Sequence, residues 1–231
     1  MLALLLLTVA AVEPRALLER ARTLEKQNEA ERARYFARED IKLTREESDG
    51  SRKQTSWHTY EAIVMAGRLR YRLVARDGKP LPAGQQKLQP EGKRSSFGWT
   101  QLLQHHDLKL VGEETIDGRR AWRIRTQLRA DAPPPKQLSD VALSSSFDIW
   151  IDQATGLERK LRFTVERPWA RWHKGATVET WSTPLDRLFV IARTLVRNPN
   201  GKRVDETDQV YSNYRRFSGE SSIRFDPSGG Q

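Results

Sequence analysis

Four histidines, His58, His105, His106 and His173, and a few adjacent carboxylates are the residues with the reach for proton transfer or metal binding. A helical metal pair needs two histidines on one face, four residues apart; His105 and His106 are neighbours, and no Asp or Glu stands where it would complete a ligand set. No metal site is expected. Glu113 and Glu114 sit beside a turn, where solvated charge is the ordinary outcome, and general acid–base work needs two groups facing one substrate. The chain has no cysteine. That excludes thiol nucleophiles, disulfides, Cys-ligated zinc and a lipidated N-terminal cysteine. Neither Gly-x-Ser-x-Gly, His-Glu-x-x-His nor a phosphate-binding glycine loop occurs. The residues predict a protein that is not an enzyme and needs no cofactor.

Apolar side chains at strand spacing remain. Residues 147–165 read as a β-hairpin, with β-branched and aromatic arms and a polar Asp152–Gly156 turn. In its second arm Leu161, Phe163 and Val165 alternate with Lys160, Arg162 and Thr164, the pattern of a strand wet on one side. The same unit recurs. Residues 68–76 place Leu69, Tyr71 and Leu73 against arginines; residues 119–129 place Trp122, Ile124 and Leu128 on one face after the strong turn dipeptide Asp117-Gly118; residues 188–197 carry Phe189, Ile191 and Leu195. Further strands are expected at 35–44, 54–64, 108–116, 177–181, 203–216 and 221–225, joined mostly by short turns. The fold class is mainly β (α+β): a curved antiparallel meander of about ten or eleven strands whose apolar concave face forms a half-open barrel. The alternating apolar residues just named are the candidate lining of that face, and they are also what a closed β core would use.

Two segments suit a cover. Residues 14–34 read as a helix with Pro14 in its first turn and a narrow stripe of Leu17, Ala21 and Leu24. Residues 97–103 read as a short helix carrying Trp99, Leu102 and Leu103. Residues 81–96 are a polar excursion and 130–145, with three successive prolines, a loop. Trp169, Trp172, His173 and Lys174 make an aromatic and basic link suited either to a membrane interface or to inward packing.

The formal charge of +10 is spread along the strands, so nucleic acid, anionic headgroups and acidic proteins would all be attracted. Residues 1–11 are apolar but too short to span a bilayer, and resemble the hydrophobic part of a secretory signal. The expected organisation is a signal-like segment at 1–11, one domain over 12–225 and a tail at 226–231.

Four stretches carry a family likeness: Tyr71-Arg72-Leu73-Val74-Ala75-Arg76-Asp77-Gly78-Lys79-Pro80-Leu81, Leu110-Val111-Gly112-Glu113-Glu114-Thr115-Ile116-Asp117-Gly118-Arg119, Ile149-Trp150-Ile151-Asp152-Gln153-Ala154-Thr155-Gly156-Leu157 and Val210-Tyr211-Ser212-Asn213-Tyr214-Arg215-Arg216-Phe217. In that order they resemble the LolA/LolB-like periplasmic lipoprotein carriers and their outer-membrane lipoprotein-sorting relatives. The resemblance implies a half-open barrel with a helical lid that takes lipid or lipoprotein acyl chains. It also implies a periplasmic location, a monomer, peripheral membrane contact, and transport components at the inner and outer membranes as partners. The missing cysteine fits the soluble carrier rather than the anchored acceptor. Two other classes stay open. One is an envelope sensor or protein-interaction module of the same fold. The other is a basic nucleic-acid-binding β protein, although no stacking motif supports nucleic acid as a partner.

Overall fold

The structure, a computed structural model, describes residues 12–32, 34–65, 68–88, 98–136, 140–169 and 172–216. The apolar start, the strand expected at 221–225 and the tail lie outside these residues. Helix α1 (Pro14–Arg32) opens the described chain, followed by strands β1 (Tyr35–Glu46), β2 (Arg52–Met65), β3 (Arg68–Arg76) and β4 (Lys79–Pro80). Helix α2 (Trp99–His105) leads into β5 (His106–Ile116), β6 (Arg119–Leu128), β7 (Ser145–Asp152), β8 (Glu158–Val165), β9 (Thr177–Leu185), β10 (Leu188–Asn200) and β11 (Arg203–Arg216).

Local chemistry explains these elements. The Glu13 carboxylate accepts the N–H groups of Arg15 and Ala16 at 3.1 and 2.6 Å, and Pro14 fills a first-turn position that needs no donor. Asp77-Gly78 and Asp117-Gly118 each take two successive positive φ angles, 48° and 75°, 47° and 75°, the hand of turn that matches strand twist. In the 152–156 turn the Asp152 carboxylate accepts the N–H groups of Ala154 and Thr155 at 3.1 and 2.8 Å.

Among the described residues the eleven strands form one antiparallel sheet in the order β4-β3-β2-β1-β11-β10-β9-β8-β7-β6-β5. Strands β4 and β5 are its two edges, so the sheet is open. This departs from a simple meander. Two meanders, β1–β4 and β5–β11, are stitched together by β1 and β11, which pair from Tyr35 opposite Arg216 to Glu46 opposite Val204. The chain between β4 and β5 therefore passes from one edge to the other. Its first part is not the loose excursion expected. Leu81 donates to the Val74 carbonyl and Leu73 to that of Lys87, which straps residues 79–88 onto β3. Irregular register at Leu110/Gly112, Trp150/Ile151 and Ile191/Arg193 adds bends that help the sheet to curl.

The core lies between the two helices and β5–β8. Directly opposed residues share a face, so Leu110, Ile124, Ile149 and Leu161 form one inward row across four strands, and Thr126, Phe147 and Phe163 the next. Residues 130–145 were expected as plain loop. They contain a helical turn at Asp140–Leu143 whose Ala142 and Leu143 are buried against this core.

Candidate functional site

The inner face of β5–β8 carries an apolar cluster, and the protein's own helices occupy it. Leu18 and Ala21 of α1, Leu102 of α2, Ala142, Ile124 and Ile149 are all 0% exposed in one cluster with Leu103, Phe147 and Ile151. Leu17, Trp99, Leu108, Leu110, Leu161 and Phe163 pack around it. Phe147 meets His106 and Phe163 at ring separations of 5.6 and 5.7 Å, and Trp172 stands edge-on to Phe163 at 6.4 Å. Trp172 of the aromatic link thus folds inward. Polar clasps fix the helices: Arg15 donates to the Leu103 carbonyl at 2.9 Å, and Gln101 to Asp140 at 3.0 Å.

His106 belongs to this clasp. It is 3% exposed, and burial pushes its pKa down, so it is neutral near pH 7. A carbonyl can only accept, so the Nε2 that lies 2.6 Å from the Ala142 oxygen carries the proton. Nδ1 then accepts from the Thr126 hydroxyl at 3.0 Å, and that hydroxyl accepts the Phe147 N–H at 3.1 Å. Both ring nitrogens are consumed in joining β5, β6, β7 and the 140–143 turn.

Past Leu161 the same inward row runs through Thr180, Thr194, Gln209, Ile41 and His58. Along this row the face changes from apolar under the helices to hydroxyl and amide beyond them, while the neighbouring row stays apolar from Phe163 through Val178 and Val196. Farther on, Tyr211, Glu39, Tyr60 and Leu73 oppose one another across β11, β1, β2 and β3. Burial, then the Glu39 carboxylate, pushes the Tyr211 phenol well above its usual range.

The expected lining residues divide accordingly. Ile124, Leu161 and Phe163 meet beneath the helices, Val165 is buried opposite Ser145, Trp122 lies opposite Ile151 and Leu128 opposite His106. Tyr71 and Leu73 lie six strands from β8, in the Tyr60 region. Phe189 is buried, but Arg119 and Arg159 stand over its ring at 5.6 and 5.1 Å, so cations cap it. Ile191 is 42% exposed. Leu195 does not join the lining. It opposes Glu179 and Asp208 and shares the outer face with Arg162, because the irregularity at Ala192 reverses the alternation carried from Ile191. The side chain of Leu69 lies outside the described residues. Of the expected cover, Leu17, Trp99, Leu102 and Leu103 sit on the cluster, and Leu24 reaches the Gly156 turn.

Sequence reasoning passed over Leu18, although Leu18 and Ala21 have the three-residue spacing of one helix face. It also passed over Glu158, which opens β8 opposite Ile151. Burial, then the Glu25 carboxylate, pushes this carboxyl up to about 8 against the opposing pull of Arg32.

Glu113, Glu114 and Asp152 are tied into pairs with arginines. The Arg120 guanidinium holds Glu113 low, and the Trp150 indole and Arg123 hold Glu114 low. Burial would raise Asp152, but Arg119 and Thr155 outweigh it and hold it at about 2. Among the described residues no three His, Asp or Glu gather as a metal site would require. On the outer face Arg123, Trp150, Lys160, Trp181 and Arg193 oppose one another across five strands. The cations stand 5.0, 4.9, 4.8 and 5.4 Å from successive indole rings. Acidic partners, including Glu114, Asp148, Glu179 and Asp208, interleave them, so much of this basic face is internally compensated.

Neither a protein-family model nor a curated protein matches the chain. Solved structures similar to it include a DUF1329 family protein from Desulfovibrio piger, with a TM-score of 0.42 and 14% identity over 95% of this chain and all of that one. A domain of an outer membrane lipoprotein-sorting protein from Vibrio parahaemolyticus gives a TM-score of 0.41 and 12% identity over 89% of this chain and 95% of that one. A LolA superfamily protein from Nitrosomonas europaea gives 0.36 and 11%, over 90% and 95%.

Proposed function

We propose that the protein is a non-enzymatic periplasmic carrier. It holds lipid or the acyl chains of lipoproteins on the inner face of its sheet, for transfer towards the outer membrane. One observation carries this reading: the apolar face of an open sheet is closed by two short-contact helices rather than by a second sheet. Leu18, Ala21, Leu102 and Leu103 stand where an acyl chain would lie.

The energies allow exchange. Full burial of three leucines is worth about 5–9 kcal/mol. On the order of a dozen buried methylenes would supply about 10 kcal/mol at about 0.8 kcal/mol each. An acyl chain can therefore take the place of the helices' inner side chains, and the helices can return when it leaves. Carriage needs no proton transfer, in keeping with Glu113, Glu114 and Asp152 paired to arginines and His106 with both ring nitrogens engaged.

The test is native mass spectrometry of protein from the periplasm of a Gram-negative host, before and after denaturation. Extra mass released on denaturation, yielding acyl fragments, is the expected result. A processed protein with no extra mass would discard carriage in favour of a second reading, a protein-interaction module of the same fold.

A further inference from the structure

Strands β6 and β7 part company near one end. Their pairing stops at Thr126 opposite Phe147, while β6 continues with β5 to Leu128 and β7 continues with β8 to Ser145. The wedge between them is a hollow of about 380 Å³. Arg125, Arg162 and Arg167 line it, from β6, β8 and the turn after β8. The turn is drawn over the wedge because the N–H groups of Glu166 and Arg167 both donate to the Ser144 carbonyl, at 2.8 and 3.0 Å. Arg167 donates to the Ala132, Ala130 and Arg129 carbonyls at 2.9, 3.3 and 3.5 Å, so it lends the hollow charge from behind rather than free donors.

The charges in this hollow do not cancel. Its two carboxylates are Asp148 and Glu166. Asp148 is shared: Arg123, outside the hollow, and Arg125 both donate to the same oxygen at 3.0 Å. Arg125 thus uses only its Nε there and keeps its terminal donors. Glu166 accepts the Ser146 hydroxyl at 2.7 Å. The ion pair of Arg162, with Glu179, is a loose 3.9 Å contact. The Arg125 and Arg162 side chains are 55% and 45% exposed, so both guanidiniums are within a solute's reach.

We propose that this hollow binds one phosphate-type anion, held by Arg125 and Arg162 with Arg167 behind them. Planar guanidinium forks suit the tetrahedral oxygens of phosphate, and the positive surplus suits one such group. The anion is either free phosphate or the phosphodiester of an anionic lipid headgroup. No residue of the two helices lines the hollow, although Phe147 of the cluster does, and the proposal stands whether or not that cluster carries acyl chains.

The experiment titrates the full chain with inorganic phosphate by calorimetry. In parallel it measures co-sedimentation with phosphatidylcholine vesicles, with and without phosphatidylglycerol. The Arg125→Gln/Arg162→Gln variant is compared with Lys53→Gln/Lys79→Gln, which removes the same charge from the other end of the sheet. Arg162→Gln alone is the second hollow variant, since it disturbs only the loose Glu179 contact. Saturable phosphate binding weakened at least tenfold by the hollow substitutions, and unchanged in the Lys variant, supports a free-anion site. Binding only to phosphatidylglycerol vesicles, with the same dependence on the variants, supports a headgroup site. No binding to either probe, or equal loss in both charge variants, overturns the proposal.

Discussion

Replacing Glu158 with Gln should flatten the alkaline side of the protein's stability curve. Glu158 lies on the inner face near Glu25 and Arg32 of α1, and burial followed by the Glu25 charge pushes its carboxyl up to about 8. In the unfolded chain the same carboxyl titrates near 4.5. Between those values the folded protein holds the extra proton, so stability falls as pH rises from about 4.5, and the loss is complete above about 8. The full gap corresponds to on the order of 4–5 kcal/mol. Partial solvent contact makes that a ceiling, and about 2 kcal/mol is the expected size. Gln has no proton to lose. His106 acts in the opposite direction: burial lowers its pKa, so its contribution is lost as pH falls below about 6.5. Both proteins share that effect and it cancels in their difference. Urea unfolding at pH 5, 7 and 9 should show E158Q gaining on the parent by about 2 kcal/mol across the range. Amide exchange in α1, corrected for the intrinsic rate, should quicken at pH 9 in the parent alone. Parallel stability curves from pH 5 to pH 9 would refute the argument that α1 rests on a protonated carboxyl.

Ile124→Ala removes a fully buried side chain at the centre of the helix-covered cluster and should cost about 3 kcal/mol in urea unfolding; a loss below about 1 kcal/mol would mean that the helices collapse freely onto the sheet. Gly78 and Gly118 share a φ of 75°, yet a Cβ on Gly78 would lie 2.9 Å from the Trp57 ring and one on Gly118 meets nothing within 4 Å. Both substitutions to Ala carry about 1 kcal/mol of left-handed strain. Gly78→Ala should lose about 1 kcal/mol more through the Trp57 contact, and equal melting temperatures for the two variants would contradict this.

The hairpins were legible because their signals are local. Asp77-Gly78 and Asp117-Gly118 specify their own backbone angles, and the alternation of Leu161, Phe163 and Val165 needs no distant partner to be read. The pairing of β1 with β11 was not legible, since nothing in residues 35–46 says which distant strand completes their ladder. Leu195 was misplaced for a related reason. Alternation is a count, and the irregularity at Ala192 breaks the count without any glycine or proline to announce it. In α1 the centre of the stripe, Ala21, is fully buried as its spacing predicts, but the stripe extends to Leu18, equally buried, while Leu17 only flanks the cluster. Residues 140–143 carry too little periodicity to stand out from a proline-rich loop, and their burial follows from contacts with His106 and Gln101 that only the fold creates.

The seam between β1 and β11 bears on the order in which the molecule can assemble. The β5–β11 meander is built from neighbours in sequence and can zip from its own turns. Strands β1–β4 can form their hairpins from neighbours in sequence, but they join the rest of the sheet only through β11. Closing that ladder spans nearly the whole described chain, and such distant pairings are slow because the loop entropy must be met before any contact forms. Until then β1 and β11 each expose an unpaired edge, a template for pairing with other chains. A newly made molecule is thus most vulnerable to aggregation just before its last ladder closes, and agents that shield strand edges should raise its folding yield more than agents that stabilise the finished fold.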